Sequence, residues 1–255
     1  MLGFGKSPKH SFALIDISSG SVAGAYLHIT PKKPPTLLFD IRVRMEERAE
    51  GQLGMLRALD TVMNALHSAG ASLRTYSGSG SVEQLFVTIG EPWLQTQVKT
   101  ETLQKKEPFV ITKEFIQGLL KTENKGVKET ATLISALLNG YQVDNPVDKK
   151  VKEAELTILT TSMETEMHDR LTKSLRRMTP SIILVSHAIL MQKLTEHVSK
   201  EQKDFLTLLV SEESTEIGMV KHGALLKIKT LAQGTETFVR GARTAGFSSY
   251  TESGA

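Results

Sequence analysis

Apolar residues open the chain in two short runs. Phe12 to Ile17 is the first, the small residues Ser18-Ser19-Gly20-Ser21 interrupt it, and Val22, Ala25, Tyr26 and Leu27 carry the second. This pattern predicts a strand, a tight turn and a returning strand. Pro31, Pro34 and Pro35 end that hairpin. From Leu37 to Met45, Phe39, Ile41, Val43 and Met45 alternate with Asp40, Arg42 and Arg44, which predicts a half-buried third strand. The period then changes: Leu53, Leu56, Leu59, Met63 and Leu66 share one face of a helix that Gly70 is expected to close. Ser77-Gly78-Ser79-Gly80-Ser81 reads as a flexible link rather than a phosphate loop, because no lysine or helix start follows it. Gln84 to Ile89 is a further strand.

Beyond Gly90 the texture is more polar. Thr112 suits the N-cap of a short amphipathic helix carrying Phe115, Ile116, Leu119 and Leu120. Tyr141 to Pro146 reads as a strand entering a proline turn, and Val151 to Thr160 as another strand. Met167, Leu171, Leu175 and Met178 line one helix face, opposite Arg170, Lys173, Arg176 and Arg177. A strand (Ile182 to Val185), a helix (Ala188 to Val198) and three strand-like runs (Phe205 to Val210, Glu216 to Lys221, Ala224 to Thr230) complete the pattern. Alternating blocks with hairpins at the start of each half give an α/β class with antiparallel sheet edges.

Composition narrows the chemistry. With 255 residues, 40% hydrophobic and 23% charged, the chain can bury a sizeable core in one large or two modest domains. The net charge of +3 comes from cations dispersed among acids, which argues against a nucleic-acid partner. No cysteine is present, so disulfides, thiolate metal sites and cysteine nucleophiles are excluded together, and a reducing cytoplasm fits. Met1 to His10 has no apolar core to act as a secretory signal, and no run approaches the roughly 20 apolar residues that span a bilayer. A cytoplasmic protein is expected, one that could reach the inner face of the cell membrane only through a partner. Gly3-Phe4-Gly5-Lys6-Ser7 lacks the leading glycine and strand of a P-loop. The seven histidines show no helical pairing with carboxylates, and His187 and His197 would lie on different faces of one helix, so no metal site is expected from them. Trp93, the only tryptophan, is expected to pack where the central segment begins.

The first and last hairpins match at a constant offset: Phe12 falls on Phe205, Ile15 on Leu208, Ile17 on Val210, Ser18 on Ser211 and Ser21 on Ser214. An internal duplication of this kind predicts two lobes whose hairpin turns face one ligand, with backbone N–H groups and hydroxyls forming an anion site. Phe12-Ala-Leu-Ile-Asp16-Ile-Ser-Ser-Gly20-Ser-Val22 is similar to the first phosphate motif of the actin, Hsp70 and sugar-kinase superfamily. Phe86-Val-Thr-Ile-Gly90 resembles the strand preceding an inserted subdomain in its bacterial branch. Phe109-Val-Ile-Thr112-Lys-Glu114-Phe115, and Asn139 to Lys149 followed by Val151 to Thr160, look like the subdomain itself, and Asp204 to Arg240 is similar to the second phosphate hairpin. In this order the segments resemble the bacterial actin-like ATPase family that includes FtsA and PilM.

The resemblance implies an actin-like (ribonuclease H-like) fold. Residues 1–89 would begin the first lobe, 90–160 would form an inserted SHS2-like α/β subdomain, 161–202 would return to the first lobe, and 203–255 would start an incomplete second lobe. It further implies ATP and magnesium between the lobes, held by Asp16, Ser18, Ser19, Gly20, Ser21 and Thr215, with Asp16 reaching the metal through water. Partners would be a tubulin-like division protein or a pilus inner-membrane protein. The second hairpin departs from the family, however. Leu209 stands where an acid is expected and Ser211 and Glu212 stand where glycines are expected, with only Thr215 and the acid Glu216 matching, so a weak or lost ATP site is anticipated and no catalytic residue is assigned. The alternative is a functional, FtsA-type ATPase of which this chain is a truncated form.

Overall fold

The computed structural model describes residues 10–30, 32–45, 51–77, 82–121, 126–198 and 203–244. Its first sheet has the order β3-β2-β1-β4-β9. Strands β1 (His10–Ile17), β2 (Ser21–Ile29) and β3 (Thr36–Arg44) form the antiparallel meander expected from the alternation. Strands β4 (Gln84–Ile89) and β9 (Ile182–Ser186) then add in parallel, each returning through intervening helix.

Alternation decides which face is core. Ala13, Ile15 and Ile17 of β1 point to the same side as Leu85, Val87 and Ile89 of β4, and all are buried under α1 (Gly51–Ser77). Met55, Leu59, Val62 and Leu66 of α1 are fully buried there, each contributing about 1.5–3 kcal/mol by leaving water. Gly24 of β2 permits this approach: a Cβ at that position would lie 2.4 Å from Val62 Cγ1. Helix α3 (Thr165–Leu175) joins the same core through Met167, Leu171 and Leu175. Of its basic face, Arg170 pairs with Glu166 (3.8 Å), and the neighbouring Arg177 pairs with Asp60 of α1.

The central segment is a separate antiparallel sheet, ordered β5-β8-β6-β7, made of β5 (Gln95–Val110), β6 (Val127–Leu138), β7 (Tyr141–Gln142) and β8 (Lys150–Glu164). Helix α2 (Lys113–Leu119) packs on it through Ile116, and the expected cap is present, with Thr112 Oγ1 accepting from Phe115 N at 3.2 Å. Asn139 and Gly140, at φ 49° and 83°, make the two-residue turn from β6 to β7.

A third sheet, β10-β11-β12, is built from β10 (Phe205–Val210), β11 (Thr215–Lys221) and β12 (Ala224–Leu231), followed by α5 (Thr235–Thr244). Its Val220 and Leu225 pack with Leu159 of β8 and Ala188 of α4 (His187–Val198), so α4 bridges the first and third sheets. Leu206, Leu208 and Val210 on the other face of β10 are exposed.

Three expectations need correction. Gly70 does not end α1, which runs on to Ser77; a single buried glycine inside a long, well-packed helix costs only about 1 kcal/mol. Strand β5, which carries mostly polar residues, and strand β6, whose first half is polar, are not among the expected strands. The strand read as Tyr141 to Pro146 is only two residues long. Residues 78–81 and Gly3 to Ser7 lie outside the described residues. Among the described residues no helix is long and apolar enough to cross a membrane.

Candidate functional site

Parallel pairing brings the carboxyl ends of β1, β4 and β9 together, the position where open α/β sheets collect ligands. Asp16 pairs with Thr88, and Thr88 with Val185, so these residues share a level and the first residue of α4, His187, follows directly. Asp16 projects on the face away from α1. Its Oδ1 accepts from Thr88 Oγ1 (2.7 Å) and contacts His187 Nε2 (2.9 Å). Its Oδ2 accepts from Ser18 Oγ (3.3 Å) and lies 3.9 Å from Arg42 NH2.

The other imidazole nitrogen faces the third sheet. His187 Nδ1 is 3.5 Å from Glu216 Oε1, which also accepts from Glu91 N at 3.2 Å. Gly90 is the point of closest approach, since a Cβ there would lie 2.2 Å from His187 Nδ1 and 2.3 Å from Glu216 Oε1. Burial opposes the imidazolium, but the hydrogen bonds and charges of Asp16 and Glu216 outweigh it and push the His187 pKa up to about 9. Burial likewise opposes ionisation of Asp16. The bonds from His187 and Thr88 and the charges of His187 and Arg42 prevail, holding its carboxyl below the usual value. Burial, and then the charge of Glu216, raises the pKa of Glu91.

The two hairpin turns interlock beside this group. Each closes with the same backbone bond, Ser18 N to Ser21 O and Ser211 N to Ser214 O, both 2.9 Å. Ser19 Oγ lies 3.0 Å from Ser211 Oγ and accepts from Glu213 N at 2.8 Å. Glu212 rests on Gly20: a Cβ added to Gly20 would be 2.6 Å from its Cβ and 3.0 Å from its Cγ. Arg240 of α5 holds Glu213 with two bonds of 2.9 and 3.0 Å. The first N–H groups of α5 are also committed, Thr235 N to Ser211 O and Glu236 N to Glu212 O at 2.9 Å each.

No protein-family profile matches the sequence, and no characterised protein aligns with it significantly. Solved structures do match the fold. A PilM–PilN type IV pilus biogenesis complex superposes with a TM-score of 0.60 at 12% identity, covering 93% of this chain and 66% of the other. A Bacteroides thetaiotaomicron VPI-5482 protein with actin-like ATPase fold and unknown function gives 0.51 at 11% identity, covering 97% of this chain and 81% of its own. The chain has the actin-like ATPase fold. It spans about two thirds of the first of these proteins.

An actin-like fold implies ATP and magnesium between the turns, and the groups expected to hold them are otherwise engaged. The hydroxyl of Ser18 donates to Asp16, that of Ser19 lies between Ser211 and Glu213, and that of Ser21 accepts from Arg42 NH1 at 2.7 Å. Thr215 Oγ1 donates to Gln233 O at 2.7 Å, away from Asp16. Glu212 fills the space against Gly20, where backbone would have to approach a phosphate. Both oxygens of Asp16 already face protein donors, leaving it poorly placed to order a hydrated magnesium. As arranged, these residues do not fit a magnesium polyphosphate. Asp16, Ser18, Ser19, Gly20 and Ser21 lie together at the first turn, whereas Thr215 bonds to the β12–α5 connection.

One residue of the cluster, His187, was not foreseen, and Glu216, the acid that follows Thr215 in the second hairpin, takes a place the motif match did not give it. The sequence match places Leu209 opposite the role of Asp16, but Leu209 pairs across the β10–β11 ladder with Glu216, so the second carboxylate arrives from the neighbouring strand. From the sequence, His187 comes into view only with His197, as a metal pair, and not as a partner of Asp16. The signal available was its place directly after an apolar strand in the series Ile182-Ile-Leu-Val-Ser186.

Trp93 ties a second feature to this one. Its Nε1 donates to Ser18 O at 2.7 Å, and the same side chain helps to line a cavity of about 280 Å³ with Gln52, Pro92, Val127, Glu164 and Met167. The cavity lies where the central sheet joins the first.

Proposed function

We propose that this chain is an actin-like scaffold or adaptor of bacterial cell division or type IV pilus assembly, with a degenerate ATP site. The observation that carries this reading is the seating of Glu212 on Gly20: a carboxylate-bearing side chain occupies the approach that a phosphate would need. The acids nearby each face a cationic protein group, Asp16 facing His187 and Arg42, Glu216 facing His187, and Glu213 facing Arg240, so their charges are met without a bound cation.

A protein partner follows from the same reading. The likeness to a PilM–PilN type IV pilus biogenesis complex favours a pilus partner, here an inner-membrane one by our proposal, over a tubulin-like division protein. The cavity beside Trp93 supports a contact at residues 90–160, where a short, partly apolar segment would find both apolar walls (Val127, Met167) and polar ones (Gln52, Glu164). In this role the protein works in the cytoplasm at the inner face of the membrane, reaching it through the partner, and ATP and magnesium have no essential part.

The test is phosphate release from Mg-ATP. We expect the background rate, unaltered by Asp16→Asn. Release above background that Asp16→Asn abolishes would instead favour the working, FtsA-type ATPase.

A further inference from the structure

We propose that His187 is a built-in cross-brace that joins the two actin-like lobes through Asp16 on one side and Glu216 on the other, holding them together with no ligand between them. The proposal deepens the reading of a cleft that works without nucleotide, by naming what replaces the ligand's mechanical role.

The geometry is that of a bridge. Asp16 belongs to β1 of the first sheet and Glu216 to β11 of the third, and His187 stands between them with Nε2 2.9 Å from one carboxylate and Nδ1 3.5 Å from the other. With an acceptor at each ring nitrogen, only the doubly protonated imidazole donates to both. The side chain of His187 is 5% exposed and that of Glu216 9%, so solvent and salt screen the bridge little.

His187 also starts α4, the positive end of a helix dipole, where a cation is disfavoured. The two carboxylates, one from each sheet, supply what holds it. Gly90 completes the fit, because any side chain there would wedge His187 away from Glu216. The remaining charges on the group are Arg42, which faces Asp16 from β3, and Glu91, beside Glu216 at the root of the central sheet. Besides the interlocked turns, where Ser19 meets Ser211 and Glu213, the inter-lobe pair of Arg44 and Glu236 at 3.7 Å involves an arginine whose side chain is 80% exposed and adds little.

The absence of cysteine makes the test direct. Spin labels on Asn64→Cys in α1 and Lys229→Cys in β12, both exposed positions, report the inter-lobe distance by double electron–electron resonance. The otherwise unaltered chain should show one narrow distribution. His187→Gln and, separately, Glu216→Gln should broaden it and move its mean by several ångströms. Glu216→Gln weakens only the leg to the third sheet, so it decides the matter if His187→Gln fails to fold, as judged by circular dichroism. Wild-type distributions in the folded variants would overturn the brace while leaving the functional proposal intact. Tight binding of Mg-ATP would do the reverse.

Discussion

Replacing Gly90 by alanine places one methyl group where the cluster has no room. Its carbon would sit 2.2 Å from His187 Nδ1 and 2.3 Å from Glu216 Oε1, whereas ordinary contacts with carbon are roughly 3.5 Å or longer. One partner must move by more than an ångström. Turning His187 stretches its 3.5 Å contact with Glu216, and moving Glu216 breaks its 3.2 Å bond from Glu91 N. Overpacking a filled site costs about 1–3 kcal/mol, and losing a hydrogen bond to a charged group about 1.5–3 kcal/mol. Some of the strain relaxes when the bond breaks, so the expected loss is about 2–4 kcal/mol. Urea unfolding followed by the fluorescence of Trp93, the single tryptophan, reads it as a lower midpoint at unchanged slope. Gly118→Ala is the control. It lies in α2 with nothing within 4 Å of its new Cβ and should gain about 0.5–1 kcal/mol from helix propensity. An alanine at position 90 that unfolds at the wild-type midpoint would refute the packing described around His187.

His187 rises from 6.5 unfolded to about 9 folded, so its contribution, at most about 3 kcal/mol, is complete below pH 6.5, declines up to pH 9 and is gone above it. Asp16 is shifted downward, so its contribution is present above the ordinary carboxylate range and lost as the pH falls through its lowered value. Stability measured by urea at several pH values should therefore fall on the alkaline side in the wild type but not in His187→Gln; parallel profiles would contradict the assignment. Thr112→Ala removes the cap of α2 and should cost about 1 kcal/mol, with faster amide exchange confined to that helix; unchanged exchange there would show that the cap is dispensable.

The parts of the fold that face water on one side were legible. Phe39, Ile41, Val43 and Met45 alternate with charges, and β3 forms where they predict it. The spacing of Leu59, Met63 and Leu66 likewise finds α1, although Gly70 misplaced its end because tertiary packing outweighs one glycine. Strand β5 was not legible: Gln95-Thr-Gln-Val-Lys-Thr-Glu-Thr presents little apolar alternation, and its strand state is imposed by pairing with β8. At the site, the first turn was legible because Asp16 to Ser21 is contiguous. Glu216 was legible as an acid of the second hairpin but its meeting with His187 was not, because it stands across a strand pair from Leu209, and His187 meets Asp16 from 171 residues away. Contacts of that separation leave no local trace in one sequence.

The central claim is that Glu212 and the interlocked turns occupy the place of a nucleotide. Calorimetric titration of Mg-ATP into the wild-type chain and into Glu212→Gly measures this most directly. Removing the Glu212 side chain uncovers Gly20 and takes away one negative charge. The account predicts no detectable heat of binding for the wild type and, if any binding appears, its appearance in Glu212→Gly alone. Low-micromolar binding by the wild type, undiminished by the presence of Glu212, would contradict it.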